Sequence, residues 1–176
     1  MQKKGDIWIS AVLYFGLGIV IITILLAAGL PVINKLRDRN VIIQTKQVMY
    51  EVDQNIREVI KEGPGSQRVI TVNIKKGIFR VDIKNSIVFW EYNNSKVLLS
   101  DPGIPVFEGK LTILSQYANI KNNYNIQLYT NYTGLANITR PTTKPSTLVG
   151  ITDLVIRNDG LDKNNLVIIS ISETNK

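Results

Sequence analysis

The longest uncharged stretch of the sequence constrains the fold most. Ile7 to Asn34 is a run of 28 residues without a charged side chain, and most of them are apolar. A helix needs about 20 apolar residues to cross a bilayer, whereas the hydrophobic part of a secretory signal peptide has only about 7–15. Ala27-Ala28-Gly29 resembles a signal-peptide cleavage motif, but Pro31 and a helical continuation follow it. Removal of the run as a signal peptide is therefore not expected. The run therefore predicts a membrane-spanning helix that stays on the protein.

Small residues are spread through this run and would allow other helices to approach closely. Pro31 lacks a backbone donor, so we expect a kink or local melting around Gly29–Pro31. Lysines precede the run and basic residues also follow it, so charge alone does not decide its orientation in a membrane. The small residues are Ser10, Ala11, Gly16, Gly18, Thr23, Ala27, Ala28 and Gly29.

The helical pattern continues beyond the apolar run as an amphipathic segment. Apolar or small side chains recur there every three or four residues, with charged residues between them. Gly63 and Pro64 end the helix, because glycine adopts the left-handed cap and proline cannot continue the turn. The sequence thus predicts one helix from Ile7 to Glu62, whose second half forms an independent coiled coil or packs against the rest of the chain. The stripe consists of Val41, Thr45, Val48, Val52, Ile56 and Val59.

Beyond the helix the pattern changes to alternation, which is typical of strands. We predict strands at 68–74, 77–83, 86–92, 96–100, 110–115, 124–130, 148–157 and 165–172. Hairpin turns are expected at Lys75-Lys76-Gly77 and Asn93-Asn94-Ser95, and further turns at Asp101-Pro102-Gly103 and Asn158-Asp159-Gly160. Residues 131–147 read as an exposed Thr/Pro/Asn-rich loop. The expected fold class is α+β: a long hydrophobic and amphipathic helix followed by an antiparallel β-sheet or β-sandwich head.

The composition restricts the chemistry that the chain can perform. It has no histidine and no cysteine, which excludes His-dependent catalysis, thiolate or imidazole metal sites and disulfides. The acidic residues of the head are scattered, and Asp159 and Asp162 around Gly160 do not fit the spacing of a calcium loop. We expect no enzyme activity, no cofactor and no metal. The net charge of +7 is spread along the chain, so no nucleic-acid partner is expected either.

Three Asn-x-Ser/Thr motifs, at Asn93, Asn131 and Asn137, are candidate N-glycosylation sites in the head. All three fall at predicted turns or in the polar loop. Such positions are typical of a head that faces the outside of the cell.

The order of these features resembles that of type IV pilins. The carrying residues are Lys3-Lys4-Gly5, the charge-free helix, its amphipathic continuation and the β-rich remainder. The short leader ending in glycine is similar to the archaeal class III signal peptide. The resemblance implies that prepilin peptidase cuts between Gly5 and Asp6, removing residues 1–5. Residues 6–62 would then be the membrane and polymerisation helix, and residues 63–176 the extracellular head.

One position departs from the bacterial form of this family. Bacterial type IV pilins usually carry glutamate at the fifth mature position, which here is Ser10. This difference favours the archaeal form and removes the pairing of that glutamate with a neighbour's N-terminal amine.

The resemblance implies a structural subunit of an archaeal surface filament that serves in adhesion. Its partners would be other copies of the chain, prepilin peptidase, the pilus assembly machinery and, before assembly, the cytoplasmic membrane. Two alternatives stay open at this point. One is a single-pass, membrane-anchored extracellular binding domain, and the other is a minor pilin or pseudopilin of an assembly or secretion machine.

Overall fold

The computed structural model describes residues 3–140 and 147–174. The chain divides into two compact units, Met1–Arg37 and Asp38–Lys176. One helix, α1 (Lys3–Glu62), supplies the first unit and continues into the second, where the described residues form eight strands after it. This is the α+β architecture that the sequence predicts.

The first unit consists of helix alone. α1 is continuous through Gly29 and Pro31, so the predicted local melting is wrong. A proline inside an apolar helix removes one backbone hydrogen bond, and the remaining turns keep the helical path.

The C-terminal end of α1 is capped by groups from the second unit. Gly63 has φ +92°, the left-handed conformation expected of a glycine after a helix. Ser66 Oγ donates to the carbonyl oxygens of Gly63 at 2.7 Å and Val59 at 2.9 Å, and Asn158 Nδ2 also donates to Val59 at 3.1 Å. These donors satisfy carbonyls that the helix itself leaves without partners.

The strands form a single sheet rather than a sandwich, in the order β3-β4-β5-β2-β1-β7-β8-β6. All neighbouring strands are antiparallel except β6 and β8, which are parallel. The strands are β1 (Gln67–Asp82), β2 (Ile87–Ser95), β3 (Val106–Glu108), β4 (Leu111–Tyr117), β5 (Tyr124–Asn131), β6 (Ala136–Thr139), β7 (Thr147–Leu161) and β8 (Val167–Thr174).

The predicted hairpin at Lys75-Lys76-Gly77 is wrong, because these residues lie inside the long strand β1. The pairing of β1 with β7 shifts register between Ile74 and Phe79, which marks a bulge. Before the bulge Ile70, Val72 and Ile74 are buried, and after it the buried residues are Phe79 and Val81. Across the shift β1 has four residues, 75–78, opposite the single residue 149 of β7. The excess of three is an odd number, so the side chains that face the core change from even-numbered to odd-numbered positions.

Two more turn predictions fail for the same kind of reason. β2 runs through the predicted turn Asn93-Asn94-Ser95, and residues 96–100 are a non-strand connection. Asn158-Asp159-Gly160 lies within β7, where a second register shift lies between Asn158 and Gly160. The turn at Asp101-Pro102-Gly103 is confirmed. The other predicted strands, 86–92, 110–115, 124–130, 148–157 and 165–172, correspond to β2, β4, β5, β7 and β8.

The predicted polar loop at 131–147 contributes to the core instead. It contains β6, with Ala136 and Ile138 buried, and it begins with the buried side chain of Tyr132. Residues 141–146 of the predicted loop lie outside the described residues.

The core of the second unit joins one face of the sheet to the amphipathic part of α1. Of the predicted helical stripe, five residues are buried and Val48 is partly buried against them. Ile42 and Met49 are also buried there, so the buried face of the helix is wider than the stripe. The amphipathic half therefore packs against the sheet rather than forming an independent coiled coil.

Candidate functional site

The candidate functional site is the apolar surface of α1 from Trp8 to Leu36, which we call the apolar segment. By length and composition α1 is suited to crossing a membrane, and none of its most apolar stretch is buried. Large hydrophobic side chains are exposed all around it, an arrangement that water does not tolerate without a lipid or protein partner. They are Trp8, Ile9, Val12, Leu13, Tyr14, Phe15, Leu17, Ile19, Val20, Ile21, Ile22, Ile24, Leu25, Leu26, Leu30, Val32, Ile33 and Leu36.

The small residues of the apolar segment lie on three different faces of the helix. Successive residues turn by about 100°, so positions seven or eleven apart in sequence share a face. The first face holds Gly16, Thr23 and Ala27, the second Ala11, Gly18 and Gly29, and the third Ser10 and Ala28. Pro31 lies beside the first face. Close approach of another helix is therefore open from several directions rather than one.

The three glycines of this segment have open space around them. A Cβ atom added at Gly16, Gly18 or Gly29 would meet nothing within 4 Å. Thr23 satisfies its hydroxyl within the helix by donating to the carbonyl of Ile19 at 2.8 Å. Within the described part of the chain, no contact thus explains why side chains are missing at these positions.

Asp38 is the first residue of the second unit and is nearly buried, with 6% of its surface exposed. Its carboxylate accepts hydrogen bonds from Tyr92 Oη at 2.6 Å and from the Lys96 backbone N–H at 2.8 Å. Lys76 Nζ lies 3.7 Å away. Burial, followed by the bond to Asp38, raises the pKa of the Tyr92 phenol, so this hydroxyl remains a donor. These bonds fix α1 to β1 and β2 where the helix joins the sheet.

Further polar contacts hold the helix along the sheet. Lys46 Nζ donates to both carboxylate oxygens of Glu108 at 2.7 and 2.8 Å, and Tyr50 Oη donates to the same carboxylate at 3.2 Å. The hydrogen bond from Lys46 holds the pKa of Glu108 below its ordinary value. Tyr132 Oη donates to Asp53 Oδ1 at 2.9 Å. The helix is thus bound to the sheet by a hydrophobic face and by polar contacts beside it.

The three Asn-x-Ser/Thr motifs differ in exposure. Asn93 is exposed in β2, and Asn131 is exposed at the end of β5, where its Oδ1 accepts the N–H of Thr133 at 2.8 Å. Asn137 lies half-buried in β6 and accepts a hydrogen bond from Ser86 Oγ at 3.4 Å. All three asparagines are therefore in strands, Asn131 as the last residue of β5, rather than in the predicted turn and loop. Only Asn93 and Asn131 present their amides on the open surface.

The predicted cleavage residues Gly5 and Asp6 lie in the first turns of α1. The contacts around Asp38 were not anticipated, because the residues that surround it lie in three segments separated by tens of residues. A weak signal exists, since Asp38 is the only acidic residue among Lys35, Arg37 and Arg39.

Two other features of the head bear on metal or ligand binding. Within residues 3–140 and 147–174, no group of three or more acidic, histidine or cysteine side chains is placed to hold a metal ion. An open cleft of about 270 Å³ lies between Lys84, Thr133, Asn137 and Asp162, and its lining is a mixture of polar and apolar groups. Comparison with known proteins finds no match. No family model matches the chain, and neither a curated protein nor a solved structure is significantly similar to it.

Proposed function

We propose that the chain is the structural subunit of an archaeal type IV pilus-like surface filament. The observation that carries the proposal is the contrast between the two parts of α1. The amphipathic part has its apolar face buried in the core of its own head, whereas the apolar segment is exposed on all sides. A surface of this kind needs an apolar partner along its whole length. Lipid supplies it before assembly, and the helices of other subunits supply it in a filament.

The distribution of small residues favours several helical neighbours over one. A membrane helix that forms a simple dimer needs a single face of small residues. Three such faces suit a helix that is surrounded by copies of itself. Contacts that repeat without closing produce a helical filament, and burial of the apolar segment at about 25 cal/mol per Å² would hold it together.

The proposal also implies how the chain is processed and exported. Prepilin peptidase would cut between Gly5 and Asp6, leaving the apolar segment at the start of the mature chain. The assembly machinery would then extract the subunit from the cytoplasmic membrane. The head would face the outside, serving in adhesion and carrying glycans at Asn93 or Asn131, whose side chains are exposed.

The first experiment is the intact mass of the mature protein. We expect a chain that starts at Asp6, and a chain that retains Met1 or Gln2 would contradict the proposal. Electron microscopy of material sheared from cells then tests assembly. Abundant filaments built from this chain support a major subunit, whereas sparse incorporation indicates a minor pilin or pseudopilin.

A second experiment separates the filament subunit from a membrane-anchored binding domain. The order of residues 7–33 is scrambled while their composition is kept, so the segment remains long and apolar enough for a membrane. We expect insertion without filaments, because the faces of small residues are destroyed. Filaments formed normally by the scrambled chain would contradict helix-mediated assembly.

A further inference from the structure

Three segments that carry cationic residues meet at Asp38, the first residue of the second unit. Arg39 follows Asp38 on the helix. Lys76, in the bulge of β1, places Nζ 3.7 Å from the Asp38 carboxylate, and Lys96, after β2, donates its backbone N–H to it. The Asp38 carboxylate thus holds together three segments that are far apart in sequence. We call the four cationic residues of these segments the basic collar: Arg39, Lys75, Lys76 and Lys96.

The basic collar presents positive charge that the head does not neutralise. All four residues are exposed. Among the described residues, Arg39, Lys75 and Lys96 form no salt bridge, and Lys76 has only the long contact with Asp38. Lys96 Nζ donates to the neutral amide of Asn123, which leaves its charge uncompensated. The single carboxylate of Asp38 stands against four cations, so the collar keeps a net positive charge.

The position of the collar along the chain indicates its partner. The apolar segment ends at Leu36, two residues before Asp38, which is about 3 Å of helix at 1.5 Å per residue. Where a membrane helix leaves the hydrocarbon it meets the lipid headgroups, and anionic headgroups attract lysine and arginine within a Debye length of about 10 Å. We propose that the basic collar binds the anionic phospholipid headgroups of the leaflet from which the helix emerges. This inference rests on the membrane insertion within the proposed function and not on filament assembly.

The distance between the collar and the lipid headgroups can be measured with a single fluorophore. The chain contains no cysteine, so one introduced cysteine takes the label alone. Leu98 is exposed and lies two residues after Lys96, so Leu98→Cys takes a single donor fluorophore beside the collar. The full chain is reconstituted in phosphatidylcholine vesicles that carry a headgroup-linked acceptor, with and without phosphatidylglycerol. We expect energy transfer to rise roughly twofold with the anionic lipid and to fall again at high salt, since the attraction is screened.

Two matched triple variants test the collar itself. The first is Arg39→Gln, Lys75→Gln and Lys96→Gln. The control, Lys84→Gln, Lys110→Gln and Lys163→Gln, removes the same charge from exposed turns elsewhere in the head. We expect the first variant to lose the response to phosphatidylglycerol and the control to keep it. An unchanged response in the first variant, or an equal loss in both, would overturn the inference.

Flotation of the vesicles after a carbonate wash separates the two proposals. A chain that does not float overturns membrane insertion together with the collar inference. A chain that floats but shows no dependence on phosphatidylglycerol overturns the collar inference alone. Filament loss in the collar variant, with an unchanged lipid response, would assign the collar to contacts between subunits and would also overturn it.

Discussion

At the scale of single residues, Gly77 explains why β1 bends without forming a hairpin. Its φ is +76°, and an added Cβ would lie 2.5 Å from the Glu91 carbonyl oxygen and 2.6 Å from Trp90 Nε1. The Trp90 indole is buried and donates to the carbonyl of Lys76 at 2.9 Å. The backbone at the bulge therefore occupies space that any other residue would need for its side chain.

Gly77→Ala tests this close approach. We expect it to lower the free energy of unfolding by about 2–5 kcal/mol, since alanine adds a strained positive φ and a collision with Trp90. The matched control is Gly103→Ala, which has φ +84° but nothing within 4 Å of the added Cβ. The control should lose only about 1–2 kcal/mol, the cost of the backbone conformation. Denaturant unfolding of the full chain in detergent measures both, and equal losses would contradict the collision with Trp90.

At the scale of elements, α1 combines two kinds of helix that local sequence distinguishes well. Absence of charge predicts the apolar segment, and the spacing from Val41 to Val59 predicts the face that enters the core. Both signals depend on residues within a few turns of each other. The helix bounds and the positions of most strands could therefore be predicted from the sequence.

The turns at Lys75-Lys76-Gly77 and Asn158-Asp159-Gly160 could not be predicted in the same way. Glycine and asparagine allow positive φ in tight turns and in bulges alike, so the residue types do not distinguish the two. The choice depends on the neighbouring strand, because β1 and β7 pair with each other around the first bulge. The basic collar could not be predicted from the sequence either, because pairing across the sheet brings its cations together.

The buried face of α1 gives a prediction with an internal control. Ile56 is 0% exposed against the sheet, whereas Ile24 in the apolar segment is 61% exposed. Ile56→Ala should lower the free energy of unfolding of the head by about 2–5 kcal/mol through lost burial and a cavity. Ile24→Ala removes the same atoms from the same helix and should leave that value unchanged. A comparable effect of Ile24→Ala on head unfolding would show that the apolar segment also stabilises the head.

At the scale of the whole molecule, the buried core and the exposed apolar segment use different parts of one helix. The second unit contains its own core, including α1 from Val41 to Val59, and the core residues among the described part of the chain all belong to that unit. On the proposed function, a subunit built in this way would exchange lipid for protein around its apolar segment while the head keeps its fold. Residues of the apolar segment should consequently affect assembly without affecting head stability.

Gly16→Leu and Gly18→Leu test that separation, because these glycines lie on two different small-residue faces and have open space around them. Each variant should insert into membranes and keep the melting temperature of the head, since leucine is a better helix former than glycine by about 0.8 kcal/mol. In sheared cell-surface fractions we expect filament yield to fall at least roughly tenfold, because leucine prevents neighbouring helices from approaching. The control Leu17→Ile lies between them, keeps the volume and should assemble normally. Full filament yield from both glycine variants would mean that close helix packing at these faces does not build the fibre.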